Sequence, residues 1–458
     1  MAADRRLIGR RWWACPCRRS GLAGGLLLAA AMIAGCTGLP AASTETPPQT
    51  RTAAPTAIET LTAAPTAIET LTAAPTDTPA GIETPTPSAS PLPTVAGRVL
   101  RWASVSLPAA LVASTDSPFQ DALFGWSRGY LAFHENVDSG SAVPWTSADG
   151  RDWLQGRSLD MTGLSQGAQV EQVVEGPAGL LALGRAPGCA DDGSGCMPEP
   201  ATALWASTDG VSWIRVDLHK AFGGAAVGDV SAGPKGYMAV SRSSDAGAAV
   251  PAIWLSADGQ NWRASSLPSA TFGAAYLARG TVLGGGFLVA GRIGSLEGWG
   301  GGYFPSTTPA IWWSADGSEW SRVTLSDVAS APQAEATITK VADGKLVAHV
   351  VSWDCVCPPE GDGQAWTSTD GRTWKAATGQ FPSPAVVLSD GHQALQVVSS
   401  DGALTVAASA DGFRWAQVAV SGSGPADLLD EAYGPSGVLV EDSDGNLWLA
   451  NMSDAGSS

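Results

Sequence analysis

The sequence predicts an all-β protein: a seven-bladed β-propeller of four-stranded antiparallel blades, preceded by a disordered stalk. Three observations predict it. A motif, Ser-x-Asp-Gly-x-x-Trp, recurs six times at intervals of about 40 to 60 residues, the period of propeller blades. Each copy lies among apolar runs separated by Gly-containing turns, in an order that makes four strands per repeat. The two ends of the domain each carry part of a repeat, and the parts are complementary.

The six boxes are SADGRDW (147–153), STDGVSW (207–213), SADGQNW (256–262), SADGSEW (314–320), STDGRTW (368–374) and SADGFRW (409–415). In five of them a Trp stands four residues before the Asp: Trp145, Trp205, Trp254, Trp312 and Trp366. With Trp102 these positions absorb twelve of the 19 Trp, an excess over 9 Phe and 5 Tyr. Ahead of each box come two apolar runs joined by a tight turn, as in GPAGLLALG (176–184), GPKGYMAVS (233–241) and GGGFLVAG (284–291). Asp-Gly between such runs is a hairpin signal.

The ends set the blade count. Residues 444–456 (DGNLWLANMSDAG) resemble 401–412 (DGALTVAASADG), but the chain stops before a last Trp strand. Residues 101–108 (RWASVSLP) repeat the Trp-to-Pro spacing of WRASSLP at 262–268. The first strand is therefore expected to complete the last blade and so remove the free edges of an open ring. The propeller is expected over 98–458.

The boxes resemble the Asp-box, or bacterial neuraminidase repeat, of the sialidase superfamily, whose pattern is roughly Ser-x-Asp-x-Gly-x-Thr-Trp. Here Gly directly follows Asp and the box is one residue shorter. The resemblance implies that the boxes lie at the turns between third and fourth strands. It also implies that ligands bind at the opposite face, among the second-to-third-strand loops and blade connections. Asp149, Asp209, Asp258, Asp316, Asp370 and Asp411 are expected to be structural: a short carboxylate accepts N–H bonds within its own turn, and Gly supplies a positive φ. Radially equivalent turns cannot converge on one substrate, so no catalytic residue is assigned.

The N-terminus reads as an address. Arg5, Arg6, Arg10, Arg11, Arg18 and Arg19 precede an apolar run, Gly21 to Ala34, too short to span a bilayer comfortably. Ile33-Ala34-Gly35-Cys36 resembles a bacterial lipobox, which implies a signal peptide over 1–35 and a lipid on Cys36. The expected location is the outer side of the cell membrane, lipid-anchored at the surface. Residues 37–97 hold eleven Pro and a direct ten-residue repeat, TAAPTAIETL, at 52–61 and 62–71. That composition forms no core; extended as polyproline II it reaches at most about 190 Å. Residues 36–97 are thus the expected stalk.

The net charge of −17 excludes nucleic-acid binding through a basic face. Four His without His-x-x-x-His spacing argue against a His metal site, and no cofactor or metal is expected. A monomer is expected. Loop length varies most in blades 2 to 5, where function is expected to sit. Arg185, Arg242 and Arg292 end the second strands of three neighbouring blades, with His134 in the corresponding place of blade 1. Three guanidiniums at one mouth suit carboxylates, sulfates or phosphates. Trp299, Tyr303 and Trp353 lie in the loops of blades 4 and 5 and could stack on sugars or anchor a protein. Cys189 and Cys196 are expected to form a disulfide; Cys355 and Cys357 are either a strained ring or a free pair.

The reading favoured is a surface-displayed binding module for a glycan or protein. The alternatives are a sialidase-like exo-glycoside hydrolase and an extracytoplasmic assembly or scaffold factor. A sialidase needs a Tyr nucleophile with a carboxylate partner. Of the five tyrosines only Tyr303 lies in a loop of the expected ligand face.

Overall fold

The structure is a computed structural model. It describes residues 94–454 apart from 109–121, 186–201, 242–250, 295–305, 352–363, 378–386 and stretches of up to four residues. The expected signal segment, Cys36 and the stalk up to residue 93 lie outside the described residues. No helix among the described residues is long and apolar enough to cross a membrane.

Five antiparallel sheets follow one another in chain order. Sheet 1 is Leu123–Trp126, Gly129–Asn136, Ser141–Ser147 and Leu154–Gln155. Sheet 2 is Gln169–Gly176, Gly179–Arg185, Thr202–Ser207 and Ile214–Arg215. Sheet 3 is Val227–Gly233, Gly236–Ser241, Ile253–Ser256 and Arg263–Ala264. Sheet 4 is Ala275–Val282, Phe287–Ile293, Ser306–Ser314 and Ser321–Val323, with Ala331–Pro332 added beside Ser306 and Thr307. Sheet 5 is Glu335–Lys340, Leu346–Val351, Ala365–Ser368 and Lys375–Ala376.

The remaining strands form one eight-stranded sheet. It joins a 387–421 meander to a closing meander made of Asp430–Gly434, Gly437–Glu441 and Leu447–Asp454. Between them runs the N-terminal strand, Thr94–Val105. It pairs antiparallel with Leu447–Asp454, Trp102 opposite Ala450, and so supplies a fourth strand to the closing meander. It begins before residue 98, where the propeller was expected to start.

The same strand pairs in parallel with Ala416–Ser421, Leu100 opposite Val420. The repeat pattern does not anticipate this fusion of two units. Outer strands of sheets 1 to 5 are two or three residues long, whereas these two have six and twelve. Their long edges can reach each other, and pairing satisfies backbone groups that a bare edge would expose.

The first strand of each sheet packs on the first strand of the next, from sheet 1 through sheet 5. Asp430–Gly434 packs both on Leu123–Trp126 and on Val387–Ser389. The sheets therefore run round a ring with their first strands innermost, the arrangement of a β-propeller. A repeated bond marks the joints. Tyr237 of sheet 3 donates its hydroxyl to the Gly179 carbonyl of sheet 2 (2.8 Å). Tyr130 of sheet 1 donates to the Gly437 carbonyl of the closing meander at the same distance. Burial pushes both phenols up.

The core lies between sheets. Trp205, Trp312 and Trp366 are fully buried. Their indole N–H groups donate to the carbonyls of Asp160, Thr271 and Ser326 in the connections between sheets. Two connections contain one helical turn ending in Phe. Phe222 packs edge-on against Trp254 at 5.0 Å, and Phe272 stacks on Trp312 at 5.1 Å.

The boxes repeat one geometry. The Ser hydroxyl accepts the Gly N–H at 2.8 to 2.9 Å in the first five. Asp Oδ1 accepts the N–H groups two and three residues on, at 2.7 to 3.3 Å. These bonds hold the carboxyls of Asp149, Asp258 and Asp370 below the ordinary range; at Asp316 the Ser318 hydroxyl leads and they add to it, and at Asp209 they prevail over burial, which opposes them. The Gly has φ of +73 to +77°. It also meets the preceding sheet: a Cβ on Gly317 would lie 1.9 Å from Leu255, and one on Gly371 would lie 2.7 Å from Leu288. The box is thus both a turn and an inter-sheet contact. Asp411 lies outside the described residues.

Candidate functional site

Topology puts the boxes and the first-to-second-strand turns at one end of the ring. The second-to-third-strand loops and the sheet connections lie at the other, where a ligand site was expected. Of the residues expected there, Arg242, Trp299, Tyr303, Trp353, Cys189, Cys196, Cys355 and Cys357 lie outside the described residues.

Arg185 and Arg292 are described, and both are engaged. Arg185 pairs with Glu171 of its own first strand (2.6 Å) and donates to the Gly228 carbonyl of sheet 3 (3.0 Å). Arg292 pairs with Glu335 of sheet 5 (2.5 Å), and its guanidinium lies 3.8 Å from the Tyr276 ring centroid. Arg292 is only 6% exposed. Each arginine therefore ties its sheet to the next, an inter-sheet fastening rather than a guanidinium free for a ligand. The place assigned to His134 needs correction. Ala132 faces Trp145 as Ala182 faces Trp205, so Glu135 is the counterpart of Arg185 and His134 that of Gly184. A one-residue slip reverses the face, and His134 is buried.

A second set of residues emerges from the ladders. In sheet 2, Val170 faces Gly184 and Gln172 faces Leu183, leaving Glu171 as an extra residue. In sheet 3 the extra residue is Gly228, between Val227 and Asp229. In sheet 4 it is Ala278, between Leu277 and Arg279. Three consecutive first strands thus bulge at one level; the paired first strands of sheets 1 and 5 do not. A bulge re-aims the side chain that follows it.

The residues that follow are Gln172, Asp229 and Arg279, at equivalent places. Gln172 Nε2 donates to Asp229 Oδ1 (3.3 Å) and to the Val230 carbonyl (2.9 Å), while its Oε1 accepts the Val230 N–H (3.2 Å). Asp229 Oδ2 accepts the Gly280 N–H of sheet 4 (2.8 Å). Asp430, at the same place in the closing meander, accepts the Leu123 N–H of sheet 1 (2.6 Å). An acceptor on one first strand thus takes the N–H of the next at three joints.

Arg279 breaks this series, because a guanidinium cannot accept a hydrogen bond. At its joint Arg292 and Glu335 supply the link instead. Asp229 is buried, and that burial pushes its carboxyl up despite the opposing pull of Arg279, the bonds from Gly280 and Gln172, and Arg185. Arg279 itself is exposed, and its guanidinium makes no hydrogen bond or ion pair with another described residue. Among the described residues no group of three or more His, Cys, Asp or Glu is placed to hold a metal.

The box motif does not single out Glu171, Gln172, Asp229 or Arg279. A signal was present nonetheless: Gln172, Asp229, Arg279 and Asp430 each stand seven residues before the glycine of the following turn (Gly179, Gly236, Gly286 and Gly437). The residue types differ, so only a position count reveals the series.

No protein-family profile and no curated protein matches the chain. Solved structures overlap it. One is the β-propeller domain of the Trilobed protease from Pyrococcus furiosus, at 10% identity and a TM-score of 0.40 over 74% of this chain and 96% of that one. Another is a PL25 ulvan lyase, at 10% and 0.42 over 77% and 94%. A third is a GH32 β-fructofuranosidase from Bombyx mori, at 14% and 0.30 over 73% and 88%. Overlaps at these scores carry none of those proteins' residues or activities onto this chain.

Proposed function

We propose that the protein is a lipid-anchored, extracytoplasmic binding module whose ligand, a glycan or a protein, docks at the loop end of the ring on blades 2 to 5. In this reading sheets 1 to 5, the 387–421 meander and the closing meander are seven blades, the last completed by the N-terminal strand. The Cys36 lipid and the stalk from residue 36 to the first strand at Thr94 carry the ring away from the membrane. No nucleic acid and no cofactor takes part, and the module is a monomer.

One observation carries the proposal. The box end repeats the same bonds from sheet to sheet, whereas the other end departs from repetition in sheets 2 to 4, where the bulges and the Gln172–Asp229–Arg279 series occur. Departure from a repeat on a rigid scaffold is the mark of a site rather than of a fold. A glycan array probed with the full chain tests it. The expected result is binding that Trp299→Ala or Trp353→Ala weakens at least about tenfold and Asp149→Asn leaves unchanged. A blank array, with one stoichiometric protein retained by the chain from envelope extracts, selects the protein ligand. Binding lost only on the box end would overturn the reading. Metabolic labelling with a fatty-acid analogue, abolished by Cys36→Ala, tests the anchor.

A hydrolase is the second reading, and one cluster favours it: Tyr276, Arg292 and Glu335 lie together at the joint of sheets 4 and 5. The guanidinium covers the Tyr276 ring face, which favours binding over attack. Turnover of a fluorogenic sialoside that Tyr276→Phe abolishes would replace the module by an enzyme.

A further inference from the structure

At the ends of the second strands the described arginines are already engaged. Arg185 and Arg292 are bound up in Glu171, Gly228 and Glu335. Their charge is already compensated, and breaking a partly buried pair to seat a ligand is costly. Arg279 differs: its charge attracts the buried Asp229 carboxyl, but it forms no ion pair with it. It lies on a first strand, the innermost layer of the ring, directly after a bulge. It is exposed and makes no ion pair or hydrogen bond with a described residue.

Its position has a structural role elsewhere in the ring and has been relieved of it here. Gln172, Asp229 and Asp430 fill the equivalent place with an acceptor that fastens the next strand. In sheet 4 that fastening passes to Arg292 and Glu335, so cohesion does not require Arg279. Beyond its attraction to Asp229, no contact among the described residues uses the long cation that stands where three joints use a fastening acceptor. The neighbouring Asp229 commits Oδ1 to Gln172 and Oδ2 to Gly280, and it attracts Arg279 without forming a salt bridge to it.

Resting on the binding-module reading, we propose that Arg279 is the anchor for an oxyanion on the ligand, the carboxylate of a uronic acid or the sulfate ester of a sulfated sugar. The guanidinium fork matches either group with two parallel N–H···O bonds, which a neutral sugar cannot receive with the same strength. Selectivity for an acidic over a neutral sugar follows from one residue.

Titration calorimetry on the full chain tests this with sodium glucuronate, glucose 6-sulfate and glucose. The expected result is a preference of at least about tenfold for one or both anions over glucose. Arg279→Gln removes that preference, Arg279→Lys keeps part of it, and Arg322→Gln, an exposed arginine on the outer strand of sheet 4, leaves it intact. Arg279→Lys keeps the charge beside Asp229 and should melt with the wild type, so its partial loss of preference reads the guanidinium fork and not the fold. Preference for glucose 6-sulfate alone supports the anchor and names sulfate as its partner. Preference that survives Arg279→Gln overturns the inference and leaves the module standing. Retention of neutral glycans on the array with no anion preferred overturns the inference alone. Failure to retain any glycan or protein overturns both.

Discussion

The two ends of the ring use the same strands to opposite purpose. At the box end, five turns make the same bonds: the Gly N–H donates to the Ser hydroxyl, the N–H groups two and three residues beyond the Asp donate to its carboxylate, and the Gly meets the preceding sheet. At the loop end, equivalent positions hold different chemistry: Gln172, Asp229, Arg279 and Asp430 share one place in the ladder. The repeated bonds hold each box turn against the sheet before it, so repetition serves the fold. Variation at one place costs little where a second link, as between Arg292 and Glu335, holds the joint.

The largest effect expected is on the shared core. Trp312→Ala removes a fully buried indole stacked on Phe272 and should cost about 3–5 kcal/mol, read from denaturant unfolding. A loss below about 1 kcal/mol would show that the Trp repeat is not the core of the joints. Gly317→Ala comes next. Its new Cβ meets Leu255 at 1.9 Å and its φ is +76°, so a loss of about 2 kcal/mol or more is expected. Gly163, at φ +79° with nothing within 4 Å, isolates the backbone share of that loss, about 1 kcal/mol for its own Ala variant. Equal losses at the two glycines would remove the inter-sheet contact from the role of the box.

Smaller effects sharpen the contrast at the loop end. Gln172→Ala leaves the Val230 N–H and one Asp229 oxygen without their partner, for about 1–2 kcal/mol. A double-mutant cycle with Asp229→Ala should show coupling of about 0.5 kcal/mol or more; none would mean that the joints act independently.

Acid separates the two ends by sign. Asp370 is held down at about 2, with Asp149, Asp209, Asp258 and Asp316 also low. Folded carboxyls below their unfolded range contribute stability above about pH 4, and it is lost as the pH falls toward 2. Asp229 is raised, so its contribution is greatest at low pH and declines as the pH rises through its folded value. Melting temperature against pH should therefore flatten between about pH 4 and 2 in Asp370→Asn. In Asp229→Asn the decline above about pH 4 should lessen. The same profile in both variants would refute the assignment of opposite roles.

Much of the architecture was legible in the residues. Six boxes, the Trp before five of them and the complementary ends announce repeated four-stranded units closed by the first strand, because period, turn chemistry and buried aromatics are local properties of the chain. The boxes could also be recognised as structural, since their bonds run within seven residues. The site was less legible. Arg185 and Arg292 read as free cations because their partners, Glu171, Gly228 and Glu335, lie 14 to 43 residues away on other strands.

What the sequence by itself determined is therefore the unit: its strands, its turn and its buried Trp. Only the tertiary structure decided the joints. The bulges at Glu171, Gly228 and Ala278 depend on how one strand registers against its neighbour. The parallel pairing of Thr94–Val105 with Ala416–Ser421 depends on where two edges meet in space. Whether an arginine is spent on a neighbour or left for a ligand is settled by what the adjacent strand places within about 3 Å of it, and that distance is set by packing between units.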